Sequence, residues 1–253
     1  MKKIFLLAAL ISAIQTYAGN TAGHIAQEEL LSGIQYSINN AFGTSIMSQD
    51  ETDLISIRSE LETLQKKAPN NLILYWCAYT DYYLTILYLQ INDREKAGRT
   101  AETGVNTLMG IQTKTSDDYA LLSLLQGMLI QFSGMKAASV AVDMKKNASM
   151  AVDIDPENIR ANYAYGIADF FTPEAYGGGK VAEKYFLKAI SLPTQKIPGK
   201  YHPSWGKEES YEYLIRLYIK NGQTDKAMKY CEEGLKSYPT NYILRELKET
   251  LEK

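Results

Sequence analysis

Side chains that do chemistry are scarce in this chain of 253 residues. It has two histidines, His24 and His202, two cysteines, Cys77 and Cys231, and two tryptophans, Trp76 and Trp205. Structural zinc generally takes four Cys or His ligands, so no such site can be assembled from neighbours here. A hydrolase needs a nucleophile, a base and an oxyanion stabiliser within reach of one another. His202 beside Ser204 is the nearest approach, and residues two apart rarely give that geometry. The one glycine run, Gly177-Gly178-Gly179, is followed by Lys180 but by no Ser or Thr, and no strand precedes it, so it is not a nucleotide phosphate loop. Charge of one sign is missing too: 27 basic residues stand against 29 acidic ones, which argues for neither nucleic acid nor an anionic membrane as partner. No stretch alternates apolar and polar residues as a half-buried strand would. After the N-terminus no segment has the ~18 uninterrupted apolar residues of a membrane span. These absences predict a non-enzymatic, all-helical protein with no cofactor, no metal and no nucleic-acid partner.

The N-terminus reads as an export signal. Lys2 and Lys3 precede a short apolar run, Ile4 to Ile14, and Thr16-Tyr17-Ala18 offers a small-x-small cleavage site. No cysteine lies near that point for lipid attachment. Residues 1–18 are therefore expected to be a signal peptide, cleaved after Ala18, and residues 19–253 the mature domain, periplasmic or secreted. Cys77 and Cys231 are 154 positions apart and each falls where packing is expected, so both are read as buried thiols.

The chain has much repetition. Lys67-Ala68-Pro69-Asn70, Ile154-Asp155-Pro156-Glu157, Ser191-Leu192-Pro193 and Ser237-Tyr238-Pro239-Thr240 each break a helical pattern. A proline there stops one helix and suits the first turn of the next. The clearest unit lies near the C-terminus. With residue 208 as the first, Tyr211, Leu214, Tyr218, Ala227 and Pro239 occupy offsets 4, 7, 11, 20 and 32. In this pattern large residues of one helix surround a small residue of the next, and it resembles the tetratricopeptide repeat (TPR). Three more units align with it. One has Leu74, Tyr75, Ala78, Tyr82 and Ile86 on its first helix and Ala97, Ala101 and Gly104 on its second. Another runs from Asp117 to Phe132 and on through Ala148 and Ala151. The third has Gly166 facing Ala182, Phe186 and Ala189, with four extra residues between its helices. The repeats are clearest over 72–253, and Asn241 to Lys253 looks like a capping helix with a polar outer face.

Upstream, Ile25 to Ala41 reads as an amphipathic helix. Ser48-Gln49-Asp50-Glu51 fits a capping box, and Leu54, Ile57, Leu61 and Leu64 then share one helical face up to Lys67. Leu72 to Gln90 is apolar nearly all round, as in a covered central helix or an oligomer surface. The sum is about eleven helices in an all-α, TPR-like helical-repeat solenoid.

Two loops stand out. One is Phe171 to Lys180, in which Gly177, Gly178 and Gly179 permit a sharp turn and Tyr176 is available to pack it. The other, Gln195 to Lys207, carries His202 and Trp205, the latter as a contact or as a staple onto the last repeat. The segments TPEAYGGGKVAEKYFLKAI and HPSWGKEESYEYLI together resemble exported TPR-like proteins of Bacteroidetes bacteria. That resemblance covers Pro156 to Pro239 best and implies a periplasmic or secreted helical-repeat protein.

The TPR resemblance also implies a concave groove lined by offsets 2, 5, 9 and 12 of each first helix. Those positions hold Ile73, Trp76, Thr80 and Tyr83 in one unit, Arg160, Tyr163, Ile167 and Phe170 in another, and Glu209, Glu212, Arg216 and Ile219 in the last. Aromatic and apolar residues at one end and charged ones at the other suit a protein or peptide partner with an apolar and a polar part. Tyr79, Tyr82, Tyr83 and Tyr88 recur at helical spacing, which favours packing between helices over a ligand box. The expected function is an interaction scaffold of the cell envelope. The alternative is a small-molecule or glycan-binding component of an envelope uptake system, with Trp76 and Trp205 as stacking surfaces.

Overall fold

The computed structural model describes residues 31–193 and 201–252. The expected signal peptide, His24 and the whole Gln195–Lys200 segment lie outside them. Among the described residues there are eleven α-helices and no strand, as the periodicity predicts. None is long and apolar enough to cross a membrane. By their internal contacts the described residues form two compact units, one of 31–100 with 201–202, the other of 101–193 with 203–252.

The first unit contains α1 (Ile34–Ser48), α2 (Thr52–Lys67) and α3 (Asn71–Gln90), each packed on the other two. The chain then enters α4 (Arg94–Met109), where Ala97, Ala101 and Leu108 are fully covered. Helix α1 lies further along than expected: it continues through Phe42 and Gly43 to Ser48. Ser48 is therefore the last residue of α1 and caps nothing. Its hydroxyl donates back to the Thr44 carbonyl, and Asp50 instead accepts the Thr52 N–H at 2.9 Å. The expected capping box does not form. Leu54, Leu61 and Leu64 are buried along α2 as predicted. Helix α3 is the covered central helix, with residues of every face buried.

One charge sits inside that apolar helix. Asp81 is buried, and its Oδ1 accepts from Arg58 Nε of α2 at 2.9 Å. Its Oδ2 has no partner. Burial outweighs the Arg58 guanidinium and pushes the carboxyl up to about 6.

The second unit contains α5 (Ser116–Leu129), α6 (Ala137–Ile154), α7 (Ile159–Phe171), α8 (Ala182–Ser191), α9 (Lys207–Lys220), α10 (Thr224–Ser237) and α11 (Tyr242–Leu251). Consecutive helices pack on one another as α5 with α6, α7 with α8, α9 with α10 and α10 with α11. The first helices of successive pairs also touch, α5 on α7 and α7 on α9. This is the wiring of stacked helix pairs. Helix α5 ends at Leu129, short of the expected Phe132, and two short 3-10 turns follow at Ile130–Phe132 and Gly134–Lys136.

Starts are made locally. The Asn70, Asn158 and Asn241 side chains accept N–H groups at the openings of α3, α7 and α11. Thr115 and Asp118 cap α5 reciprocally. The prolines sit one or two residues before the asparagines, outside the helices rather than in their first turns.

Small residues set the distances between helices. A Cβ on Gly166 would lie 2.4 Å from the Phe186 ring, and one on Gly234 would lie 3.0 Å from Leu244. Ala182, Phe186, Ala189, Ala227 and Cys231 are all buried at the positions read from the repeat. Cys77 and Cys231 are free, and burial pushes both thiols up to about 11.

Two outcomes test this account. Gly166→Ala overfills the α7–α8 contact and is expected to cost ~1–3 kcal/mol in denaturant unfolding, much of it regained by adding Phe186→Leu. Because Asp81 is raised from the ordinary 3.8 to about 6, its contribution to stability is present below pH 4 and lost as pH rises through 6. Over that window Asp81→Asn should gain on the wild type by up to about 3 kcal/mol. Curves of stability against pH that run parallel for the two proteins would show an ordinary carboxyl.

Candidate functional site

In the first unit the expected groove positions are mostly occupied by packing. Ile73, Trp76 and Thr80 are fully buried and Tyr83 is half-buried. The Trp76 indole N–H donates to the Tyr201 carbonyl at 2.9 Å, and the Thr80 hydroxyl donates to the Trp76 carbonyl. Trp76 and Tyr79 meet edge-on at 5.3 Å, Tyr79 and Tyr83 at 5.0 Å, and Phe42 of α1 lies 4.5 Å from Tyr83. The Tyr79 hydroxyl reaches Asn39 Oδ1 at 3.2 Å. These rings are a core, so Ile73, Trp76 and Thr80 offer no surface to a ligand.

In the second unit the positions divide. On α7, Arg160 is buried. Its Nε donates to Asp117 Oδ1 at 2.6 Å and its Nη1 to the Trp205 carbonyl at 3.4 Å. Tyr163 is buried against the edge of Trp205, ring centres 5.9 Å apart. On α9, the Glu209 carboxylate accepts the Gly206 N–H at 2.7 Å, which closes the start of that helix. Burial pushes this carboxyl up to about 7. Glu212 is raised by burial even though Arg216 binds it at 2.8 Å.

The remaining four, Ile167, Phe170, Arg216 and Ile219, keep exposed surface. Three residues the repeat offsets did not mark, Phe171, Tyr213 and Lys220, also keep exposed surface. Phe171 is 62% exposed and Ile219 is 37% exposed. Phe170 and Phe171 meet edge-on at 5.0 Å, and Tyr213 lies 5.6 Å from the first and 5.8 Å from the second. Lys220 Nζ stands 5.6 Å from the centre of the Phe170 ring. Burial pushes the Tyr213 hydroxyl up to about 12, so at neutral pH it is an un-ionised donor. The end of α7 and Tyr213 of α9 thus present an aromatic face with two cations at its edge. A readable signal existed: of two adjacent aromatics closing a helix, 100° apart around its axis, only one fits inward.

The loop candidates also part company. Tyr176 is 78% exposed, so it does not pack the glycine turn as expected. The loop holds itself instead. Gly177 N–H donates to the Glu174 carbonyl, Gly178 N–H to Pro173 and Gly179 N–H to Asp169. Gly177 and Gly179 have φ of 82° and 74°, and a Cβ on Gly178 would lie 1.9 Å from the Thr172 carbonyl oxygen. Trp205 is 6% exposed. It staples its loop to Tyr163 of α7 and is no free contact. His202 is half-buried, with Nδ1 unpartnered. Among the described residues no group of His, Cys, Asp and Glu could hold a metal ion.

Solved structures place this architecture. A TPR protein of Thermus thermophilus superposes with a TM-score of 0.57 at 16% identity, over 85% of this chain and 98% of its own. The HusA haemophore from Porphyromonas gingivalis gives 0.52 at 17% identity, over 72% of this chain and 92% of its own. No family model matches the chain, and no curated protein matches it in sequence. At such identities the likeness is one of fold: the chain is an all-α, TPR-like helical-repeat protein.

The split between packed and exposed aromatics has a direct consequence for stability. Phe186→Ala and Trp205→Ala should each cost ~3–5 kcal/mol. Phe171→Ala, at the surface, should stay within ~0.5 kcal/mol of wild type. Urea unfolding of the three variants checks the division, and a large loss for Phe171→Ala would mean that its ring is structural.

Proposed function

We propose that the protein is an exported, non-enzymatic binding scaffold whose docking surface is the aromatic face of α7 and α9. The observation that carries this is the exposure of Phe171 beside the half-buried Phe170 and Tyr213, with Lys220 near the Phe170 ring and Arg216 near Tyr213. Exposed aromatics ringed by polar residues are typical of interface anchors. The partner that fits is an extended peptide segment with apolar side chains followed by one or two carboxylates. Rings and aliphatic groups would lie on Phe170, Phe171 and Tyr213. The acidic end would meet Lys220 and the exposed Arg216, which also pairs with the mostly buried Glu212. Location in the periplasm or outside the cell rests on the N-terminal signal pattern and on the resemblance to exported TPR-like proteins of Bacteroidetes.

A second reading has its own support. HusA, which shares the fold, is by name a haemophore. A flat apolar ligand with acidic substituents would use the same rings and the same two cations, as part of an envelope uptake system.

The test is a selection from a displayed library of random twelve-residue peptides against the mature protein. Enriched peptides should combine apolar or aromatic residues with Asp or Glu. Phe171→Ser with Lys220→Glu should weaken them at least tenfold while leaving thermal stability nearly unchanged. A selection with no consensus, or peptides indifferent to both substitutions, would remove the peptide reading. Titration with haemin, followed by its Soret absorbance, decides the alternative: a saturable band shift abolished by Phe171→Ser supports it, and an unshifted spectrum sinks it.

A further inference from the structure

On another part of the second unit the glycine loop borders a cavity that the aromatic face does not use. It has a volume of about 270 Å3 and is partly open to solvent. Its lining comes from α6, α7 and the loop before α8. Ala148, Ala168 and Val181 make it apolar, and the Tyr165 ring forms part of its wall. Tyr165 is backed by Tyr185 at 4.2 Å between ring centres, and burial raises its hydroxyl, which keeps it un-ionised.

Three charged residues also line it: Lys145, Lys180 and Asp169. Asp169 is already committed. Its Oδ2 accepts the N–H groups of Val181 and Ala182 at 2.8 Å each, so its charge is set against the start of α8. The lysines are not so balanced. Among the described residues neither is in an ion pair, and the one recorded bond of Lys145 is from Nζ to the Tyr176 carbonyl at 3.2 Å. Two lysines and one carboxylate thus border the cavity, and the carboxylate is hydrogen-bonded to the start of α8.

We infer that this cavity binds a small organic anion, a carboxylate or phosphate monoester carried on an apolar or aromatic body. The anionic head lies between Lys145 and Lys180 at the mouth, and the body lies against Tyr165, Ala148 and Ala168. The loop supports the site because its backbone is held in one shape by glycines at 177, 178 and 179. A side chain at Gly178 would collide with the Thr172 carbonyl, so the turn that places Gly177 in the wall needs a glycine at 178. The residues that line it are not those of the α7–α9 aromatic face.

The experiment is a titration of the full mature chain, followed by the backbone amide signals of Gly177, Gly178 and Gly179. Benzoate and phenyl phosphate are the anionic probes, and benzyl alcohol is the neutral control of similar shape. Both anions should move the glycine signals along saturable curves, and the alcohol at least tenfold more weakly. Lys145→Gln with Lys180→Gln should weaken the anions at least tenfold, and Lys145→Arg with Lys180→Arg should restore them. Preference for phenyl phosphate over benzoate identifies a phosphate ligand, and the reverse a carboxylate. Unmoved glycine signals, equal binding of the alcohol, or anion binding that ignores the double Gln variant would each overturn the proposal. Both lysines are exposed, so the variants are expected to fold, and an unchanged amide spectrum elsewhere verifies it.

Discussion

Gly166 has no side chain, and the ring of Phe186 lies where one would be. Much in the second unit follows from contacts of this kind. Helices pack at 8–10 Å depending on the residues between them, and a glycine or alanine sets the short end of that range. Gly166 brings α8 onto α7, and Gly234 does the same for Leu244 of α11 and Tyr211 of α9. With α8 drawn in, Phe186 reaches both Tyr163 and Tyr213, at 6.3 Å and 6.2 Å. Tyr213 is then held half-buried beside Phe170 and Phe171. The exposed aromatic face is thus a by-product of a tight contact beneath it.

The fold was largely legible because packing leaves a periodic trace. The positions read as small or large in the repeat, Gly166, Ala182, Phe186, Ala189, Ala227 and Cys231, are the buried ones. Helix ends were less legible. Ser48 to Glu51 has the composition of a capping box, yet the apolar face of α1 carries that helix through Ser48, and Asp50 does the capping. Tertiary contact overrode the local signal. The asparagines that open α3, α7 and α11 each follow a proline closely, a pattern visible in the sequence but read there through the prolines alone, as a stop and as a first helical turn.

Site residues were harder to read because the repeat offsets describe an idealised groove. They say which way a side chain points and not what stands in front of it. Trp76 points as expected but is covered, and its indole nitrogen is bonded to Tyr201, far away in sequence. Arg160 is drawn inward by Asp117, and Glu209 by the Gly206 amide. Asp81 and Arg58 left no trace at all, since one acid in an apolar helix reveals its partner only when α2 and α3 are placed together. Tyr213 lies between the marked offsets, and Phe171 lies one residue beyond the last of them.

The pair Phe170 and Phe171 has a consequence of a different sort. Adjacent positions on one turn answer to different demands: Phe170 is wedged among Phe186, Tyr213 and Phe171, whereas Phe171 stands mostly in water. Selection can therefore rewrite position 171, along with the outer residues of α9, while the neighbouring position keeps the helices in place. A lineage descended from such a chain would be free to change what it recognises without relearning how to fold. Its members would diverge fastest at that outward rim and slowest one residue away.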